Sequence, residues 1–114
     1  MIVELCKGTI RNAIPALTAV TTTSPAQKAK GHNAIIIFAK ITGTGTWSIK
    51  VQGATSGNGT FMDVTDYKGD AMAISSATAS KAQVFKGLPE NFKIVATEDA
   101  NGATIEVDYE LITL

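Results

Sequence analysis

A Ser/His/Asp or Cys/His apparatus for nucleophilic catalysis would have to be built around His32, because the chain contains one histidine, and its one cysteine is Cys6. Both a Ser/His/Asp and a Cys/His apparatus need partner residues around the histidine. No Gly-x-Ser-x-Gly motif is present, and the neighbours Gly31 and Asn33 offer no distinctive partner. We therefore expect Cys6 to be a small core hydrophobe and His32 to be an ordinary loop histidine. A lone cysteine also excludes an intrachain disulfide.

Two groups of carboxylates could support other chemistry. Asp63, Asp66 and Asp70 lie close enough in sequence to suggest calcium, but the EF-hand spacing is absent and Asp and Gly are also common in turns. The residues from Glu106 to Glu110 alternate acidic and apolar side chains. That alternation is typical of a solvated sheet face. The number of carboxylates in the sequence would also allow an acid pair for glycoside hydrolysis.

The remaining candidates are a glycine-rich segment and a tryptophan. Residues 53–59 resemble a phosphate loop, but they lack the Gly-Lys-Ser/Thr ending and no helix follows them. Trp47 alternates with Ile49 and Val51, which favours a core position over a sugar-stacking one. We therefore expect no enzyme activity, no cofactor and no metal site.

Composition narrows the class of protein. The 114 residues contain ten basic and ten acidic side chains and are 45% hydrophobic, which is typical of one globular domain and not of a general nucleic-acid binder. Basic residues concentrate in residues 1–40 and acidic ones in residues 90–114. This separation suits either a solvated surface or two complementary contact surfaces. No apolar run approaches the roughly 18–20 residues that span a bilayer, so we expect no membrane partner.

The elements that must position these residues are predicted to be strands. Thr, Val, Ile and Ala recur between Gly and Asn clusters, and no segment has a helical apolar repeat. Strands over 92–97 and 104–111 flank Asn101-Gly102, which favours a two-residue hairpin turn. That hairpin would pair Phe92 with Leu111, Ile94 with Tyr109, Ala96 with Val107, and Lys93 with Glu110.

A second hairpin is predicted from residues 33–42 and 46–53, joined by Gly43-Thr44-Gly45. It would set Ile41 against Trp47, Ala39 against Ile49 and Ile37 against Val51. Ile36 and Phe38 then lie on the opposite face, where a loop or a partner subunit would have to cover them. Weaker strands are predicted at residues 1–7, 60–64, 71–75 and 82–86.

We therefore predict an all-β fold, a β-sandwich or jelly roll of about seven or eight strands with antiparallel hairpins. Residues 1–114 form a single domain in this interpretation. The Thr-rich segment at about 16–31, which contains Ser24-Pro25, is predicted to be a long loop or extended arm.

The stretch TWSIKVQGATSGNGTFMDV, residues 46–64, resembles small β-sandwich virion proteins of tailed bacteriophages, such as head decoration (cement) or fibre proteins. The shared pattern is a Trp-bearing strand, a short Gly/Ser/Asn loop, then an aromatic residue and a short strand. The resemblance covers about a sixth of the chain and implies a small all-β protein, often trimeric, that clamps major capsid subunits. The family offers no catalytic residues to carry over.

We accordingly expect a structural protein of the phage particle, most simply a capsid decoration protein assembled in the host cytoplasm. Its partners would be the major capsid protein or another virion protein, and its own copies in a homotrimer. The candidate contact residues are Ile36, Phe38, Lys28, Lys30 and His32. The alternative is a carbohydrate- or receptor-binding module of a fibre or secreted protein, which requires exposed aromatic residues in a groove.

Overall fold

The computed structural model describes residues 5–9, 21–98 and 104–114 of the chain. The described residues form ten strands and no helix, so none of them belongs to a helix long and apolar enough to cross a membrane. The strands are β1 (Leu5–Thr9), β2 (Thr21–Thr23), β3 (Gln27–Lys28), β4 (Ala34–Thr42), β5 (Trp47–Ala54), β6 (Met62–Asp63), β7 (Ala73–Ala77), β8 (Lys81–Lys86), β9 (Asn91–Glu98) and β10 (Thr104–Ile112).

The strands form two antiparallel sheets. Sheet A has the order β1-β10-β4-β8, and sheet B has the order β2-β9-β5-β6. The short strand β3 continues the edge made by β2 along β9, and β7 continues the edge made by β6 along β5. Counting each interrupted edge once gives eight strand positions, and their neighbour order is that of a jelly roll. The predicted sandwich or jelly roll of seven or eight strands is therefore confirmed.

The core lies between the sheets and is built from alternate residues of the long strands. Ile35, Ile37 and Ala39 point inward from β4, while Trp47, Ile49 and Val51 point inward from β5. Strands β9 and β10 contribute the corresponding alternate residues, among them Phe92 and Tyr109, whose rings meet edge to face at 5.9 Å. A period of two residues places these side chains on one face of each strand, and burying that face holds the sheets together.

The two predicted hairpins are wrong. Strand β4 pairs with β10 and β8 in sheet A, whereas β5 pairs with β9 in sheet B, so the turn at residues 43–45 crosses between sheets. Strands β9 and β10 are separated in the same way, and the predicted Asn101-Gly102 turn lies outside the described residues. The predicted Lys93–Glu110 pair is therefore absent: Lys93 has Gln52 as its neighbour, and Glu110 has Ile36 and Lys7.

The predicted arm is attached to sheet B over much of its length. Thr21–Thr23 and Gln27–Lys28 pair with β9, and Ser24 between them is buried. Ala29 is also buried, and its backbone N–H donates to the Glu90 carbonyl oxygen at 2.8 Å. This part of the segment therefore forms a sheet edge instead of projecting into solvent. Residues 16–20 of the predicted arm lie outside the described residues.

Candidate functional site

An exposed apolar strip crosses the outer face of sheet A. It consists of Ile36 and Phe38 on β4 with Ala82 and Val84 on β8. The register places Ile36 beside Val84 and Phe38 beside Ala82. Phe38 is 38% exposed and Val84 is 46% exposed, and what is informative is that they belong to one patch. The sequence prediction found Ile36 and Phe38, and the structure adds the two β8 residues.

Charged side chains border the apolar strip. On its β10 side, Glu110 lies beside Ile36, Asp108 beside Phe38 and Glu106 beside Lys40. On the other side, Lys81 and Lys86 begin and end β8. A cleft of about 340 Å³ opens next to Phe38, with Lys40, Ser80, Lys81 and Asp108 among its lining residues. An apolar centre with a charged rim is the usual anatomy of a protein contact surface.

The outer face of sheet B is different. Ser48, Lys50 and Gln52 point outward from β5, and Lys93 and Thr97 point outward from β9. The Lys93 ammonium lies 4.4 Å from the centre of the Phe61 ring, a cation–π contact that covers part of this aromatic side chain. On these two strands the outward side chains are therefore mostly polar, whereas Met62 on β6 is an exposed apolar residue of the same sheet.

The other predicted contact residues do not share the face that carries the apolar strip. Lys28 lies on β3 in sheet B, and its Nζ donates to Asn91 Oδ1. Lys30 occupies a turn with a φ of 55°, where its backbone N–H and that of Gly31 both donate to the Glu90 carboxylate at 3.1 Å.

His32 differs from the exposed contact residue that the sequence suggested. It is only 9% exposed, and its Nδ1 lies 2.8 Å from Thr113 Oγ1. The ring therefore braces the C-terminal end of the chain against the residues before β4. The side chain of Cys6 lies outside what the structure describes, while the register places its backbone beside Leu111.

The three aspartates that suggested a calcium site do not share a common partner among the residues that the structure describes. Asp63 accepts hydrogen bonds from Gln52 Nε2 at 2.9 Å and from Lys50 Nζ at 3.2 Å, and these contacts lower the pKa of its carboxyl group below the ordinary 3.8. Asp66 instead closes its own turn, with Oδ1 accepting from the backbone N–H groups of Lys68 and Asp70. Within the described ranges, no three His, Cys, Asp or Glu side chains converge as a metal site would require.

A second exposed feature is the turn at residues 65–71, here called the Tyr67 turn. It interrupts the edge of sheet B between β6 and β7 and extends to the end of β8 in sheet A, where Tyr67 lies against Gly87. The Tyr67 side chain is 69% exposed. The candidate residues predicted in this segment were its aspartates, and Tyr67 was not among them. The turn residues around it are the signal that could have found it, because they predict a surface loop.

The sequence matches no protein-family model and no curated protein. Similar folds occur among solved structures. The SPBc2 prophage-derived protein YomS is 14% identical with a TM-score of 0.62, and the match covers 99% of this chain and 96% of that one. A family two carbohydrate esterase from Cellvibrio japonicus is 5% identical with a TM-score of 0.52, and the match covers 99% of this chain but 35% of the esterase.

TmCBM61, solved with β-1,4-galactotriose, is 11% identical with a TM-score of 0.45, over 95% of this chain and 86% of that one. The likeness to YomS and to the esterase is one of fold. The strand order is that of a two-sheet β-sandwich, and because one fold serves many functions, the function of this protein must be inferred from its own surfaces.

Proposed function

We propose that the protein is a structural component of a bacteriophage particle, and specifically a decoration protein that binds major capsid subunits as a homotrimer. The observation that carries this proposal is the apolar strip on the outer face of sheet A. Exposed apolar surface of this kind, bordered by charged residues, is typical of a protein–protein contact. The whole-length likeness to a prophage-derived protein of the same fold supports the phage context.

In this proposal the protein acts through buried surface and not through catalysis. Phe38 lies beside Ala82 in the apolar strip and lines the cleft of about 340 Å³ next to it. A neighbouring copy would cover Phe38 and Val84, while Asp108 and Lys81 at the border would fix the orientation of the two chains. Apolar residues at the centre supply most of the affinity of such contacts, and charges at the rim mainly supply specificity.

The test is the solution mass of the protein by light scattering over a concentration series. The wild type should have three times the chain mass of 11.9 kDa. Phe38→Asp should shift the mass to that of one chain, because a carboxylate buried at the contact loses its hydration. The matched control is Met62→Asp, which puts the same charge on an exposed apolar position of sheet B and should leave the trimer intact.

Two outcomes would contradict the proposed contact. A wild type that stays at 11.9 kDa throughout the series would exclude a trimer that forms in solution. A folded Phe38→Asp variant that keeps the wild-type mass would show that the apolar strip is not the subunit contact. Circular dichroism on both variants separates loss of assembly from loss of folding.

A further inference from the structure

The Tyr67 turn holds an aromatic side chain in solvent where two clefts meet. One cleft, of about 190 Å³, is lined by Tyr67 and Lys86 together with Asp66, Lys68, Asp70 and Val84. The other, of about 220 Å³, is lined by Tyr67 and Lys86 together with Asn33, Gly87 and Leu114. We propose that this place is a saccharide-binding site, in which a sugar ring stacks on Tyr67 and its hydroxyls bond to the charged groups beside the ring.

The turn that carries Tyr67 is fixed by its own backbone. The Asp66 N–H donates to the Asp70 carbonyl oxygen at 2.7 Å, and the Gly69 N–H donates to the Asp66 carbonyl oxygen at 3.0 Å. Asp66 Oδ1 accepts two further backbone bonds, at 2.8 and 2.9 Å. Thr65 and Ala71 close the base of the turn as a β-bridge. A turn that is ordered before binding presents its aromatic ring with little further loss of conformational freedom.

Gly87 brings the end of β8 against this turn. A β-carbon at Gly87 would lie 3.1 Å from the backbone nitrogen of Tyr67 and 3.2 Å from its Cδ1, and Gly87 has a φ of 92°. Only glycine combines that φ with so close an approach at little strain. The Asn33 backbone carbonyl oxygen accepts from the N–H groups of Gly87 and Leu88 at 2.8 and 3.0 Å, and both Asn33 and Gly87 line the second cleft. The position of the tyrosine is therefore set by both sheets.

The polar groups of the clefts suit vicinal hydroxyls. Each sugar hydroxyl both donates and accepts, so a site that offers a carboxylate and an ammonium side by side can satisfy it. Asp70 supplies acceptors and Lys86 supplies donors. In the part of the chain that the structure describes, neither side chain takes part in another hydrogen bond or ion pair. A ligand could therefore bond to both groups without displacing a partner among the described residues.

Charge and cleft size distinguish the saccharide from other ligands. Two lysines and two aspartates line the first cleft, so the site lacks the positive charge that would attract a phosphate backbone. Both clefts are smaller than the roughly 300–1,000 Å³ typical of drug-sized ligand pockets. Clefts of this size suit single sugar rings of a solvent-exposed oligosaccharide. This inference does not rest on the proposed virion function, because neither Phe38 nor the cleft beside it belongs to the site.

The experiment is a glycan array of neutral and acidic oligosaccharides probed with the full chain, followed by titration calorimetry with the strongest-binding oligosaccharide. Tyr67→Ala should weaken glycan binding about tenfold or more. A nucleic-acid base stacked on an aromatic side chain contributes a comparable amount to binding affinity. Tyr67→Trp should retain binding, since it keeps an aromatic surface. Met62→Ala removes an exposed apolar side chain on β6 and should bind like the wild type.

An array on which no oligosaccharide binds above background overturns the proposal. A bound oligosaccharide whose affinity is the same for Tyr67→Ala and the wild type also overturns it, because the site would then lie elsewhere. If Tyr67→Ala instead lowers the oligomeric mass without changing glycan binding, the turn is part of a protein contact and the saccharide site is wrong. Phe38→Asp should leave glycan binding unchanged, so the proposed saccharide site and the proposed subunit contact can be disproved independently.

Discussion

Ser24 shows how a single buried hydroxyl holds the edge of sheet B. The Ser24 N–H donates to the Ile94 carbonyl oxygen at 2.9 Å, and the Ile94 N–H donates to Ser24 Oγ at the same distance. The residue thus bridges the gap between β2 and β3 along β9. Because the next residue is Pro25, which has no N–H, the backbone here cannot form a regular ladder. The side chain of Ser24 supplies the missing acceptor for Ile94.

We expect Ser24→Ala to lower the free energy of unfolding by about 1–3 kcal/mol, because it leaves the buried N–H of Ile94 without its acceptor. The measurement is urea denaturation followed by circular dichroism. Ser75→Ala, at an exposed position of β7, is the control and should change stability by less than about 0.5 kcal/mol. Equal midpoints for the two variants would show that the Ser24 hydroxyl does not hold this edge.

At the scale of elements, the buried face of the four long strands, β4, β5, β9 and β10, was predictable from the sequence, but which strands are neighbours was not. The alternation in residues 34–42 correctly predicted that Ile37 and Ala39 point to the core. The same alternation of apolar residues is expected whether the next strand is hydrogen-bonded to this one in the same sheet or lies in the opposite sheet across the core. In this jelly roll the connection after β4 crosses to the other sheet, and so does the connection after β9. Turn chemistry alone could not separate these two possibilities.

Gly53 marks a place where β5 packs closely against the segment before β9. A β-carbon there would lie 2.5 Å from Pro89 Cγ and 3.0 Å from Val64 Cγ1. We expect Gly53→Ala to destabilise the protein by about 1–3 kcal/mol, since a proline ring has little freedom to move aside. Thermal unfolding should detect a fall of several degrees. Gly57→Ala is the control, because a β-carbon at Gly57 would lie 3.9 Å from its nearest neighbour, Lys28 Nζ. If both variants unfold at the same temperature, the packing at Gly53 is looser than the structure indicates.

At the scale of the whole molecule, the two exposed surfaces differ in how far the sequence could locate them. Ile36 and Phe38 were predictable because they are apolar on the face of a strand opposite the core. Their neighbours Ala82 and Val84 were not, since the pairing of β8 with β4 depends on the global strand order. The low exposure of His32 was not predictable from the sequence, because its contact with Thr113 joins positions far apart in sequence.

The two surfaces also meet on the molecule. Val84 belongs to the apolar strip and lines the first cleft of the Tyr67 turn. A chain whose apolar strip is covered by a neighbouring copy would therefore carry the proposed saccharide site at the border of that contact. Phe38 and Tyr67 lie on opposite sides of Val84 in this arrangement, which is why substitutions at these two positions can separate assembly from glycan binding.

A protein that belongs to a phage particle, as we propose, must stay with that particle through purification. Quantitative mass spectrometry across a density gradient of particles released from cells that carry the gene measures this. We expect the chain to sediment with the particles in a constant ratio to the major capsid protein. If the chain is recovered only among free proteins at the top of the gradient, while intact particles sediment without it, it is not a particle protein.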